Sequence, residues 1–268
     1  MGEVFTERTP RVVAARKLTR RAGRDAAGQF LAEGPQAVRE ALAHDPPPVE
    51  LFVTDAAADR HAELVERAQA AGVPVSAVSA RAAAALSETA TPQGIVAVCR
   101  TVDVPLAAAL DGSPGLVVAC DQIRDPGNLG TVIRCADAFG ADSVLITGDS
   151  VDLYNGKTVR ASTGSLFHLP ITSGADLGEA VEVARAAGLQ VLGADGAGDR
   201  TIDGLGAAGE LSRPTMWVLG NEAWGLPPDR AALLDGLVAL PMYGRAESLN
   251  LSTAAAVFLY ASATAQHR

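Results

Sequence analysis

Short apolar runs recur along this chain, each separated from the next by a stretch long enough for one helix, and that alternation restricts the fold to an α/β class. Six runs fall in the second half, at 116–121, 143–147, 169–172, 189–194, 215–220 and 237–242. Between them the spacing predicts helices over about 128–139, 153–165, 176–187 and 228–234, and a closing helix over 248–265. Runs such as Leu116-Val-Val-Ala-Cys120 are apolar without alternation, as strands are when a parallel sheet is covered on both faces. Aromatic residues make up only 4% of the chain, so Val, Leu, Ile and Ala must build the core.

The first half repeats the alternation on a smaller scale. FLAE from Phe30, then 49–54, 73–78 and 94–99 read as strands, with helices expected over 35–43, 59–71 and an Ala-rich segment before 94. Residues 101–115, TVDVPLAAALDGSPG, carry two prolines and two glycines and mark the boundary. The expected organisation is a basic N-terminal arm (1–24), a small α/β domain (25–104), a linker (105–115) and a parallel-sheet domain (116–268).

Composition excludes several function classes. No segment has the layout of a secretory signal, and the nearly uncharged stretch from Ser248 to Gln266 is too rich in Ser, Thr and Asn for a membrane span. Cys99, Cys120 and Cys135 show no CxxC spacing and read as reduced core residues of a cytoplasmic protein. His44, His61, His168 and His267 are scattered, so no metal site and no Ser-His-Asp constellation is expected. The net charge of -9 argues against a nucleic-acid partner until its distribution is considered. Arg8, Arg11, Arg16, Lys17, Arg20, Arg21 and Arg24 face only Glu3 and Glu7 within the first 24 residues, so this segment is +5 and the remainder -14. Charge alone leaves two readings of it open, an RNA-binding arm and a solvated terminus.

Three dense polar stretches each follow a strand immediately, where ligands bind in open α/β sheets. The first is DQIRDPGNLGTVIR, 121–134. It lacks the G-x-G-x-x-G of a dinucleotide site and the Gly-Lys-Ser/Thr of a phosphate loop. Residues 129, 132, 133, 136 and 139 share one helical face, which leaves Arg134 about 160° from the centre of that face. Asn128, Lys157, Arg160 and Arg245 are expected near the same end of the sheet, as a local cationic patch. The second stretch, LGNEAWGLP (219–227), brackets Asn221-Glu222 between Gly220 and Gly225. The third, LPMYGRAESLNLS (240–252), offers Ser248, Asn250 and Ser252 as helix N-caps, of which one suffices.

In that order and at those separations, N-L-G-x-x-x-R, G-N-E-x-x-G-L and S-L-N-x-S resemble the SpoU (TrmH-like) family of S-adenosyl-L-methionine-dependent RNA ribose 2′-O-methyltransferases, within the SPOUT superfamily. The first half, with FLAEGPQAVREAL, is similar to the L7Ae-like substrate-binding domain of many members. The resemblance implies a C-terminal sheet threaded into a deep trefoil knot, a homodimer, and S-adenosyl-L-methionine held in the knot loops. Carried over by motif, Gly220, Leu240 and Leu249 contact the cofactor, with Leu219, Met242 and Asn250 beside them. Asn128, Arg134, Glu222, Ser248 and Asn250 match the catalytic positions. RNA contacts are expected from Arg8, Arg11, Arg16, Lys17, Arg20, Arg21, Lys157, Arg160 and Arg245. Ribosomal RNA, 23S above all, is the first expectation and tRNA the second; a non-enzymatic RNA-binding protein retaining the fold is the rival class.

The implied reaction moves a methyl group from a sulfonium to a ribose 2′-oxygen. Presenting any arginine neutral at pH 7 costs about 7 kcal/mol, whereas general-base help returns about 10²–10⁴-fold. Arg134 is therefore expected to act as a cation on an RNA phosphate and on the developing 2′-oxyanion. Asn128 and Asn250 are expected to orient ribose or arginine, and Glu222 and Ser248 to hold loops or substrate.

Overall fold

The computed structural model describes residues 4–268, which form two compact units, 4–102 with 152–168 and 103–151 with 169–268. Met1, Gly2 and Glu3, the first residues of the expected arm, lie outside the described residues.

In the first unit, α1 (Pro10–Arg16), a 3₁₀ turn (Lys17–Thr19) and α2 (Arg21–Ala27) lead into β1 (Gln29–Glu33) and α3 (Pro35–Ala43). There follow β2 (Glu50–Val53), α4 (Asp55–Arg60), α5 (Ala62–Ala70), β3 (Val75–Ala77), α6 (Ala80–Ala85) and β4 (Ile95–Arg100). The sheet order is β1-β4-β2-β3, antiparallel at both β4 pairings and parallel between β2 and β3. The single helix expected over 59–71 is broken at His61, whose φ of -124° and ψ of 42° leave the helical region.

The basic segment is not a separate arm. Val12, Ala15 and Leu18 are buried with Leu31, Phe52, Val96 and Val98, so an apolar stripe at helical spacing fastens it to the sheet. Arg24 is buried as well, with Nε donating to Asp152 Oδ2 at 3.0 Å and a terminal nitrogen donating to the Leu18 carbonyl at 2.9 Å.

The second unit comprises α7 (Leu106–Ala109), β5 (Leu116–Asp121), α8 (Pro126–Ala138) and β6 (Ser143–Thr147). The chain then returns to the first unit for α9 (Gly156–Ser162) and a 3₁₀ turn (Ser165–Phe167). It re-enters the second unit with β7 (Ile171–Ala175), α10 (Leu177–Ala186), β8 (Gln190–Ala194), β9 (Arg200–Thr201) and α11 (Ile202–Ala207). A 3₁₀ turn (Glu210–Ser212), β10 (Thr215–Leu219), α12 (Pro228–Ala231), β11 (Gly236–Ala239) and α13 (Leu251–Gln266) complete it.

Segment 152–168 departs from a single cut between the domains, and its contacts explain why. Tyr154 and Phe167 both pack on Phe30 of β1, with ring centroids 4.6 and 6.0 Å away, and Arg160 reaches Glu33 at 3.2 Å. The expected helix over 153–165 is shorter, ending where Thr163 turns left-handed at φ 51°.

All pairings in the large sheet are parallel, in the order β7-β6-β5-β10-β8-β11-β9. The sheet has seven strands rather than six, because the glycine-rich connection after β8 holds β9 and α11. Leu219 at the end of β10 is in register with Cys120 on one side and Ala194 on the other, and Val238 of β11 also pairs with Ala194. The loops after these strands therefore leave the sheet at one level. This is also where strand order switches direction, the usual place for a ligand crevice.

Candidate functional site

The first loop begins at Asp121 and passes through Gln122, held at φ 56°. Asp125 caps α8 by accepting the Asn128 N–H at 2.9 Å, and Pro126 supplies the first helical residue. Leu129, Val132, Ile133 and Ala136 are buried, so the apolar face packs as its spacing requires. Arg134 is exposed on the other side, and its guanidinium has no hydrogen bond or ion pair among the described residues.

The second loop closes on itself. Asn221 and Gly225 exchange backbone hydrogen bonds of 3.0 and 2.9 Å, and the Asn221 side chain accepts from Ala223 N at 2.8 Å. Its amide also donates to the Gln122 carbonyl at 2.8 Å, tying the loop to the first one. A Cβ on Gly220 would stand 2.4 Å from the Gly225 carbonyl oxygen, so this turn admits no side chain there. Asp195, after β8, accepts from Leu226 N at 3.1 Å and from Ala197 N at 2.9 Å.

Glu222 is the junction. Its carboxylate accepts from Arg124 N at 3.2 Å, Asp125 N at 3.1 Å and Asn128 Nδ2 at 3.2 Å. Partial burial raises the carboxyl pKa, but bonds from its own backbone amide, Asp125, Asn128 and Arg124 outweigh that and hold it below the ordinary carboxylate value. Asn250 donates to Asn128 Oδ1 at 3.0 Å, while Asn250 Oδ1 caps α13 through Ser252 N at 3.0 Å and Thr253 N at 3.4 Å. Asn250 is thus the cap among the three residues able to serve. Three segments distant in sequence are joined through Glu222, Asn128 and Asn250.

Beside this junction lies a cavity of about 460 Å³. Leu219, Val238, Leu240, Leu251 and Phe258 supply apolar wall, and Phe258 rests on the buried Trp217 ring, 4.6 Å between centroids. Asp195, Glu222 and Glu247 are its charged lining residues, and no Lys or Arg lines it. The size lies within the about 300–1,000 Å³ of small-molecule sites. Three carboxylates without a cation disfavour a phosphate-bearing ligand and suit an organic cation, so the residues fit the sulfonium of S-adenosyl-L-methionine. Of the expected cofactor residues, Leu219, Gly220, Leu240, Met242 and Leu249 line the cavity, as do Glu222 and Ser248.

Arg134, Asn128 and Asn250 do not line it. Sequence reasoning missed Ala194, Asp195 and Gly196, although GADGAG directly after a strand was a usable signal. The expected cationic patch is divided. Arg245 is exposed in the second unit, but Lys157 and Arg160 belong to the first, where Arg160 is committed to Glu33. Arg11 is likewise paired, 3.0 Å from Glu50, whereas Arg8, Arg16, Lys17 and Arg20 are exposed on the first unit. Arg21 is exposed too, 3.8 Å from Asp25. His168 lies 3.3 Å from Glu40 in the first unit.

Burial pushes the Cys120 thiol up to about 12, reinforced by Glu222 and Asp121, and raises Cys99 further still. Cys135 is also raised by burial, against the opposing charge of Arg134. None is a poised thiolate. Among the described residues no group of His, Cys, Asp and Glu is placed to hold a metal, and no helix is long and apolar enough to cross a membrane.

The SpoU rRNA Methylase family pattern matches residues 115–260, and an MRM3-like substrate binding domain matches residues 9–97. The 23S rRNA (guanosine(2553)-2′-O)-methyltransferase RlmP of Bacillus subtilis is 33% identical over 97% of this chain and 98% of its own. A 23S rRNA (uridine(2479)-2′-O)-methyltransferase of Streptomyces viridochromogenes is 40% identical over 54% of this chain and 51% of its own. Among solved structures, the SpoU methyltransferase AviRb from Streptomyces viridochromogenes, in complex with AdoMet, superposes with a TM-score of 0.82 at 32% identity, covering 96% of this chain and 98% of that one. An AdoMet-bound rRNA methyltransferase from Sinorhizobium meliloti gives 0.81 at 31%, covering 97% and 98%. With the three motif loops meeting at an acidic cavity and both halves matched, this chain belongs to the SpoU rRNA methylase family and carries its substrate-binding domain in front.

Proposed function

We propose that this protein transfers a methyl group from S-adenosyl-L-methionine to a ribose 2′-hydroxyl of 23S ribosomal RNA, acting in the cytoplasm as a homodimer whose C-terminal sheet is threaded in a deep trefoil knot. The observation that carries the reading is the acidic, cation-free cavity at the ends of β10, β8 and β11, beside the junction of three loops. The relatives named as 23S rRNA 2′-O-methyltransferases support the substrate.

When bound, S-adenosyl-L-methionine supplies a methyl group on a positively charged sulfur. The chain's own residues then divide into two sets. Glu222, Asn128 and Asn250 spend their polar atoms on one another and on backbone amides, so they hold the loops in place. With its carboxylate kept charged by those bonds, Glu222 is an anchor and a poor base. Ser248 and Arg134 face outward, Ser248 on the cavity and Arg134 from α8. In this reading Arg134 steadies RNA phosphate and the developing 2′-oxyanion as a cation. Alignment of hydroxyl and methyl group contributes the larger share, about 7–11 kcal/mol for well-oriented reactants.

Two exposed residues of α13 support the homodimer. Val257 and Tyr260 are 40% and 60% exposed in the apolar stretch 254–260 of α13, and Tyr260 touches Phe139, the C-cap of α8, edge-on at 5.6 Å. Arg134 is exposed on the helix that Phe139 caps.

The test is transfer of tritiated methyl to 23S rRNA and to tRNA taken from cells lacking the gene. Incorporation into 23S rRNA as a 2′-O-methylnucleoside is expected; incorporation into tRNA alone moves the substrate to the second candidate. Light scattering at two protein loads is expected to return twice the chain mass.

A further inference from the structure

The chain contains two tryptophans, and they are treated in opposite ways. Trp217 is fully buried and donates its Nε1–H to Ser262 Oγ at 2.9 Å. Trp224 is 56% exposed on the lining of the cavity, with no hydrogen bond or ring partner among the described residues. A large indole left in water is an unusual use of this residue, because its apolar area normally finds cover.

The turn that carries Trp224 is held on every side. Asn221 and Gly225 bond both ways across it, Ala223 N is fixed to the Asn221 side chain, and Leu226 N to Asp195. Glu222, two residues before Trp224, anchors the turn to the start of α8. The exposed ring therefore stands on a rigid support, and little ordering entropy opposes a ligand stacking on it.

We infer that Trp224 is the stacking platform for a nucleobase of the substrate RNA at the mouth of the cavity, and so a determinant of RNA affinity at this site. The inference rests on the proposed ribose methylation. For transfer, the 2′-oxygen must come within about 3–3.5 Å of the methyl carbon, which places the ribose at the cavity mouth. The base bonded to that ribose, or its unstacked neighbour, then lies within reach of an aromatic ring on the cavity wall. The acidic lining repels phosphate, so the recognition left to this rim is of a neutral π-face. Every base has such a face, and Trp224 therefore contributes affinity without choosing the base.

Base–aromatic stacking corresponds to a loss of about 5- to 150-fold on alanine substitution. Trp224→Ala is expected to raise the KM for 23S rRNA by that factor while the Kd for S-adenosylhomocysteine stays unchanged, and Trp224→Phe is expected to recover most of the loss. An unchanged KM overturns the inference. Acrylamide quenching of the unmodified protein reads the same contact without turnover, because Trp217 is inaccessible. Shielding by 23S rRNA in the presence of S-adenosylhomocysteine is expected. Shielding by S-adenosylhomocysteine alone assigns the ring to the cofactor, and shielding that disappears on dilution without RNA assigns it to a second copy; either result overturns the inference. Failure of the unmodified protein to methylate ribose sinks the reading of the reaction instead, and the quenching result still stands or falls separately.

Discussion

Replacing Glu222 by alanine tests whether the three loops are held by one carboxylate. The change removes the acceptor of Arg124 N, Asp125 N and Asn128 Nδ2 at 3.2, 3.1 and 3.2 Å. Glu222 is exposed, so water replaces part of each bond, and the lower end of the usual range applies, about 0.5 kcal/mol apiece or about 1.5 kcal/mol together. That energy orders the cofactor loop before binding, so losing it weakens S-adenosyl-L-methionine by about tenfold. Glutamine keeps one oxygen for Asp125 and Asn128 but turns an amide N–H₂ toward Arg124 N, and should lose about half as much free energy. Calorimetric titration reads both, and thermal unfolding should move little because the core is untouched. The same residue sets an acid limit. Its folded pKa lies below the ordinary value, so its contribution is complete above about 4.5 and fades as pH falls through the lower folded value. Glu222→Gln should remove that limb of the cofactor-binding profile. Affinity unchanged to within about twofold in Glu222→Ala would refute the junction as the source of loop order.

Further predictions concern charge. Arg134→Ala is expected to lower methyl transfer by at least about 10²–10³-fold, with calorimetric S-adenosyl-L-methionine affinity barely changed; normal turnover would remove its role. Arg24→Ala strands Asp152 in a largely buried position, where loss of one partner costs about 3–5 kcal/mol, to be read by denaturant titration. Replacing the exposed Arg8, Arg16, Lys17 and Arg20 by glutamine should lower the salt slope of RNA binding by about 0.7–0.9 for each phosphate no longer neutralised, at unchanged thermal stability. A constant slope would leave those cations as solvated surface.

Much of the second unit was readable because its strands are buried without interruption. Leu116–Asp121 and Thr215–Leu219 are buried at every position, and such runs announce a covered parallel sheet whatever else surrounds them. The motif loops were readable because each departs directly from one of these strands. β9 and α11 were not, since GADGAGDRTIDGLGAAG has neither strand nor helix periodicity, and α11 depends on the Thr201 side chain capping Gly204 N at 3.2 Å. Membership of segment 152–168 in the first unit was equally hidden. It follows from Arg24 meeting Asp152 and Phe30 meeting Tyr154, pairs that lie far apart along the chain. The same blindness made the basic segment look like an arm, because the stripe of Val12, Ala15 and Leu18 has meaning only once a sheet stands beneath it. Within the site, polar residue types were legible but their division of labour was not. Asn128 and Asn250 were expected to orient ribose or arginine, and the hydrogen bonds by which they also tie the loops together could not be read from residue types.

The most direct measurement of the central claim is enzymatic. Purified protein, tritiated S-adenosyl-L-methionine and 23S rRNA from cells lacking the gene are combined, and the product is digested to nucleosides. Label in a single 2′-O-methylnucleoside, lost with Arg134→Ala, is the predicted result. Label on a base, or none in any RNA offered, would contradict it.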